Sequence, residues 1–106
     1  MSTDYEHVEV TNNKAEQRYE IRVDRQIAVL KYEREGNQIV LVHTGVPHAL
    51  EGHGLASKLA HTALEDAQSA KLTVVPLCPF VAEYIREHHE YLPLLSQSEQ
   101  TRILQG

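Results

Sequence analysis

The sequence predicts an α/β (α+β) domain: a mixed, mostly antiparallel sheet with one βαβ crossover and helices packed on it. Three observations lead there. Between residues 18 and 44 three β-rich runs follow one another across turn-sized gaps. Residues 55–70 then carry apolar side chains at the helical period. A short β-branched run at 72–75 follows directly, and a helix between two strands implies a crossover connection.

Each element has a local reason. Residues 1–14 are polar and predicted to be frayed; Thr11-Asn12-Asn13-Lys14 reads as a turn, and Val8 and Val10 supply at most a short strand. In residues 18–23, Tyr19, Ile21 and Val23 point one way while Arg18, Glu20 and Arg22 point the other, which is a half-buried antiparallel strand. A turn at Asp24-Arg25 leads to residues 26–35, apolar on both faces in their first half and therefore a more central strand. Glu35-Gly36-Asn37 supplies a hairpin turn, and Ile39, Val40, Leu41 and Val42 carry the third strand to Thr44. Leu55, Leu59, Ala60, Ala63, Leu64 and Ala67 form one helical face, with small residues that let the helix approach the sheet; Glu65 and Asp66 on the other face read as solvated. Pro76 ends the next strand near residue 75, and Pro79 suits the first turn of a second helix running to about His89, with Tyr84 on its apolar stripe. Ser96-Gln97-Ser98-Glu99 matches a capping box and predicts a terminal helix of about two turns.

Composition narrows the function. The 106 residues suit one domain, 1–106, with its core at about 18–91. Ten basic residues against fifteen acidic ones give a net charge of −5 with no basic run, which argues against nucleic-acid binding by phosphate neutralisation. Neither a signal-peptide layout nor a bilayer-length apolar run is present, so the chain reads as soluble, away from membranes and cytoplasmic. The single Cys78 excludes an internal disulfide. His43, His48 and His53 are five apart, a spacing that shares no helix face, and no metal site is predicted.

The chemistry concentrates in residues 42–60. A strand ends at Thr44-Gly45, a loop with Pro47 follows, and Gly52-His53-Gly54 opens the long helix. Helix N-termini present unpartnered amides and the positive end of the macrodipole, and glycines let a bulky anion reach the main chain. This layout suits a diphosphate. Cys78, just before Pro79, reads either as a small buried hydrophobe or as an N-cap thiol fit for nucleophilic attack. His43 reads either as a general base or as a hydrogen-bonded sheet histidine, and Tyr84 and Tyr91 as core or as acids, with Tyr91 better placed because it lies off the helical stripe.

Taken together, the meander, the His43-Thr44-Gly45-Val46-Pro47 turn, the Gly52-His53-Gly54-Leu55-Ala56 loop, the 75–81 segment and His89-Glu90-Tyr91 resemble the small GCN5-related N-acetyltransferase-like family. The resemblance spans roughly residues 18–91 and implies an acetyl-CoA-binding fold that transfers acetyl to an amine. It implies that the amides of Gly52, His53, Gly54, Leu55 and Ala56 hold the pyrophosphate, with help from Lys58. The pantetheine arm would lie where two parallel strands splay beyond Gly45 and Pro76, with its thioester between Thr44-Gly45-Val46 and Leu77-Cys78. Glu51 departs from the family pattern, standing where Gln or Arg is usual; a carboxylate cannot donate to a phosphate, so the amides must carry the anion. Too few apolar residues precede the first matched strand to wall an acceptor site. An open acceptor side suits an exposed protein lysine or terminus, or completion by a second subunit as a homodimer. Two other readings are a CoA-binding module without catalysis and an interaction domain that no longer binds CoA.

Overall fold

A computed structural model describes Tyr5 and residues 7–105. Five strands form one sheet in sequential order: β1 (Thr11–Asn13), β2 (Arg18–Val23), β3 (Gln26–Glu35), β4 (Gln38–Gly45) and β5 (Thr73–Pro76). The first three pairings are antiparallel, and β4 and β5 run parallel through the crossover helix α1 (Leu55–Ser69). Helices α2 (Pro79–Glu87) and α3 (Gln97–Gln105) complete the chain, with 3-10 turns at His48–Leu50 and His89–Leu94. This is the mixed, mostly antiparallel architecture that the sequence pattern predicts.

The two hairpins follow from their turn residues. Asp24 and Gly36 take positive φ, which lets two-residue turns match the right-handed twist of the strands they join. Helix α1 buries Leu55, Leu59, Ala60, Ala63, Leu64 and Ala67 in one core with Tyr19, Ile21, Leu30, Leu41 and Val74 of the sheet. Each fully buried leucine contributes about 1.5–3 kcal/mol relative to exposure.

Several expectations need correction. The predicted turn at residues 11–14 is instead strand β1, paired with β2 from Thr11↔Glu20 to Asn13↔Arg18, and the turn moves to residues 14–17. The reason is nonlocal. Asn13 Nδ2 donates to Glu20 Oε2 and Tyr32 Oη donates to Asn12 Oδ1, so both asparagines serve the sheet. Of the start expected to fray, residues 1–4 and 6 lie outside the described residues, while Val8 and Val10 are half-buried against the core. Glu20, expected to face outward, is buried at 3% exposure, and Arg18 and Arg22 bind its carboxylate. The Arg18 hydrogen bond is the main reason its pKa falls below the usual carboxylate value.

Glu65 and Asp66 are more than a solvated face: Tyr91 Oη donates to Glu65 Oε2 at 2.8 Å and Tyr19 Oη to Asp66 Oδ2 at 2.9 Å. Helix α2 stops at Glu87, short of His89. Helix α3 begins at Gln97 as expected and runs for about two and a half turns. Glu99 N–H donates to Ser96 Oγ as the capping box requires, and Ile103 is fully buried. Arg86 Nε donates to the Ile103 carbonyl and Arg102 Nη2 to that of Pro76, tying α3 to α2 and to the end of β5.

Candidate functional site

The site begins where β4 and β5 part. Their register runs from Gln38↔Thr73 to Leu41↔Pro76, and Pro76 has no N–H to continue it. Cys78 N–H donates to the Leu41 carbonyl at 2.9 Å, after which β4 continues for four residues with β3 alone beside it. A bulge sharpens the divergence. Tyr32 opposes Leu41 and Lys31 opposes His43, so Val42 is an extra residue in β4. The strands therefore separate at Val42, earlier than the Gly45 expected from sequence. Leu41 is buried, whereas Val42 and His43 are both exposed.

Two side chains face each other across this opening. Thr44 Oγ1 lies 3.2 Å from Cys78 Sγ, a hydrogen-bonding contact between the end of β4 and the start of α2. Cys78 is the N-cap of α2, and its carbonyl accepts the Ala82 N–H at 3.0 Å; its side chain does not cap the helix and is only 3% exposed. His43 lies on the surface beside Gly45. Its Nε2 sits 3.5 Å from the position a β-carbon on Gly45 would take.

The other half of the site is the start of α1. Gly54 is the N-cap with φ 73°, Gly52 has φ 83°, and a β-carbon on either would meet nothing within 4 Å. Their need for glycine is conformational, and the space beside the main chain is open. No side chain caps α1, no acidic residue occupies its first turn, and its first helical hydrogen bond is Lys58 N–H to the Gly54 carbonyl. These early amides flank a hollow of about 210 Å³ lined by Val46, Leu50, Gly52, Ala56, Ser57 and Phe80, among others.

Charge is arranged in keeping with this geometry. Glu51 also borders the hollow, but one of its carboxylate oxygens lies 3.4 Å from His48 Nδ1, an ion pair when the imidazole is protonated. The ring of His53 stacks on Tyr5, centroids 3.7 Å apart and nearly coplanar. Lys58 borders a neighbouring hollow with Val8, Val10, His61 and Thr62 rather than the one beside the glycines. Ser57 and Phe80 belong to the site and were not singled out for it by sequence. Ser57, the third residue of α1, brings a hydroxyl to the uncapped turn. Phe80 reads as core at helical spacing, yet behind Pro79 it stays 39% exposed and turns to the hollow.

Tyr91 stands apart. It is 2% exposed, and its hydroxyl is held between Glu65 Oε2 and His61 Nδ1 on α1. Burial, then the Glu65 hydrogen bond and charge, raise its pKa well above that of an ordinary tyrosine. Such a hydroxyl is a fastener between the 3-10 turn at His89–Leu94 and α1. Tyr84, with its pKa raised by burial and the nearby Glu90 and Glu65, stacks on His88 at 3.9 Å. No group of three His, Cys, Asp or Glu is placed to hold a metal ion among the described residues, and no helix among them is long and apolar enough to cross a membrane.

Comparison with known proteins agrees with this geometry. Residues 18–94 match the model of the GCN5-related N-acetyl-transferase family. The chain is similar to Protein NATD1 of Gallus gallus and of Mus musculus, 32% identical over 84 residues in each case, covering 76% of this chain and 76% of either relative. With Protein NATD1 of Homo sapiens the identity is again 32% over 84 residues, covering 74% of that protein. The backbone resembles the solution structure of a GCN5-like candidate N-acetyltransferase from Staphylococcus aureus. The TM-score is 0.66 at 25% identity, covering 84% of this chain and 88% of the other.

Proposed function

The chain belongs to the GCN5-related N-acetyltransferase family, and from that premise we propose that it binds acetyl-CoA and transfers the acetyl group to an amine. One observation carries the reading: an uncapped helix N-terminus behind two positive-φ glycines opens beside the point where two parallel strands separate. The amides of residues 52–56, with the Ser57 hydroxyl, hold the pyrophosphate. Backbone groups of Thr44, Gly45 and Val46, which have no β5 partner, receive the amide-rich arm in the manner of an added strand. When His48 is protonated, its pairing with Glu51 offsets part of the carboxylate's charge beside the phosphates. Lys58 adds attraction through the field of its charge from the adjoining hollow.

Bound acetyl-CoA supplies an acetyl group activated as a thioester. His43, exposed beside Gly45, accepts the proton of the incoming amine as a general base. Cys78 orients the opening through its contact with Thr44, and its burial favours direct attack by the amine over an acetyl-cysteine route. The acceptor side is open, which suits a protein lysine or terminus, or a second copy of the chain, in the cytoplasm. Release of free CoA thiol in the presence of amine acceptors tests this. Turnover that survives Cys78→Ala and falls with His43→Ala supports direct transfer; the reverse pattern makes Cys78 the nucleophile.

A second reading is a CoA-binding module without catalysis. It is favoured by the Tyr91 hydroxyl, engaged on α1 and therefore not offered as an acid to a leaving thiolate. Acetyl-CoA binding with no thiol release for any amine would decide for it.

A further inference from the structure

Two hollows adjoin beside β1, β3 and the turn at residues 14–17, away from the glycine loop. The smaller, about 260 Å³, is lined by Asn12, Lys14, Gln17, Tyr32 and Arg34. All of these except Gln17 also border a larger cavity of about 470 Å³, a size typical of small-molecule sites, so the two meet at shared side chains. Nothing in the proposed acetyl transfer uses either.

The smaller hollow is rich in donors. Gln17 Oε1 accepts the Arg34 backbone N–H at 3.1 Å, and Asn12 Oδ1 accepts the Tyr32 hydroxyl at 2.6 Å. Each amide oxygen thus already serves a donor, while neither side-chain NH₂ group lining the hollow has a hydrogen bond among the described residues. Arg34 gives one Nη2 hydrogen to the Gly36 carbonyl, which anchors the guanidinium on the β3–β4 turn and leaves the rest of its fork for a planar anion. Neither Lys14 nor Arg34 pairs with a carboxylate among the described residues, in a chain whose net charge is −5. Two cations and two amide NH₂ groups, with no carboxylate lining the hollow, suit an anion.

The larger cavity is different in kind. Its walls add the buried Tyr19, Ile39, Ala67 and Leu72, and the rings of Tyr19 and Tyr32 lie 5.4 Å apart. Asp66 and the last turn of α1, where the helix macrodipole is negative, border this cavity and not the smaller one. A negative head is therefore favoured in the smaller hollow, and an uncharged apolar body in the larger.

We propose that the two hollows together bind an organic monocarboxylate with an apolar body. Its carboxylate sits on Arg34 and Lys14, and its body lies against the tyrosine rings, Ile39 and Leu72. The inference does not depend on acetyl-CoA binding.

The test is an amide-shift titration of the full chain with phenylacetate to about 10 mM, the affinity range of a fragment-sized ligand. The amides of Gln17, Tyr32, Arg34 and residues 66–70 should move together while residues 52–56 stay in place. Phenylacetamide keeps the body without the charge, and acetate keeps the charge without the body; each should bind at least about tenfold more weakly. Arg34→Gln and Lys14→Gln, both at exposed positions, should weaken phenylacetate to a similar degree. No shifts with phenylacetate, or equal binding of phenylacetamide or of acetate, would overturn the proposal; the analogue series decides even if a variant fails to fold.

Discussion

Replacing Tyr91 by phenylalanine removes one oxygen and keeps the buried ring. That oxygen lies 2.8 Å from Glu65 Oε2 and 3.0 Å from His61 Nδ1. A hydrogen bond to a charged acceptor contributes about 1.5–3 kcal/mol net. Both partners sit on the exposed face of α1 and regain water once released, so the loss should fall at the lower end, about 1–2 kcal/mol. In a domain of this size that lowers Tm by roughly 4–8 °C per kcal/mol. Urea unfolding followed by circular dichroism should show a lower midpoint at an unchanged slope.

The pH dependence has a definite sign. Folding raises the Tyr91 pKa above the ordinary tyrosine value of 10.0, so the folded state keeps the phenolic proton more tightly than the unfolded one. The advantage of wild type over Tyr91→Phe is therefore fully present below pH 10 and shrinks as pH rises above it. Equal stability of the two proteins at neutral pH would refute the fastening role. Thiol release separates the roles independently: a fastener leaves turnover per folded molecule intact, whereas a proton donor loses turnover with little change in stability.

Three further outcomes follow from particular residues. Gly54→Ala places a side chain at φ 73° and should cost about 1–2 kcal/mol in thermal unfolding, together with weaker acetyl-CoA binding; unchanged stability would deny the left-handed cap its part. Glu20, its pKa lowered chiefly by Arg18, should stabilise wild type over Glu20→Gln at neutral pH, the difference fading as pH falls below 4.5 and through the folded-state value; a constant difference in urea midpoints would contradict this. Ile103→Ala should cost about 2–4 kcal/mol by leaving a cavity under α3, and a loss below about 1 kcal/mol would mean that α3 docks through Arg86 and Arg102 alone.

What sequence could and could not reveal divides by the range of the interactions involved. The apolar stripe of α1, the Gly36 hairpin and the Ser96 cap are set within a few residues, and each was legible. Strand β1 was not, because its Asn12 and Asn13 look like turn residues until Tyr32 and Glu20 are brought beside them. The bulge at Val42 was hidden in a run of four consecutive apolar residues, where an extra residue leaves no break in the alternation. Without it the opening between β4 and β5 is placed three residues late. At the site, Thr44 meets Cys78 because the crossover connection brings the end of β4 beside the residues that follow β5, an order the sequence already displays. Ser57 and Phe80 emerge only once the helix starts fix their directions, and the Tyr91 fastening depends on groups 26 and 30 residues away.

The central claim is that the strand opening and the uncapped start of α1 form one acetyl-CoA site. Titrating the isotope-labelled full chain with acetyl-CoA and following amide shifts tests it most directly. The account predicts saturable movement of Thr44, Gly45, Val46 and residues 52–57 together, with residues 66–70 unaffected. Stationary signals at residues 44–46 and 52–57 at about 1 mM acetyl-CoA would contradict it.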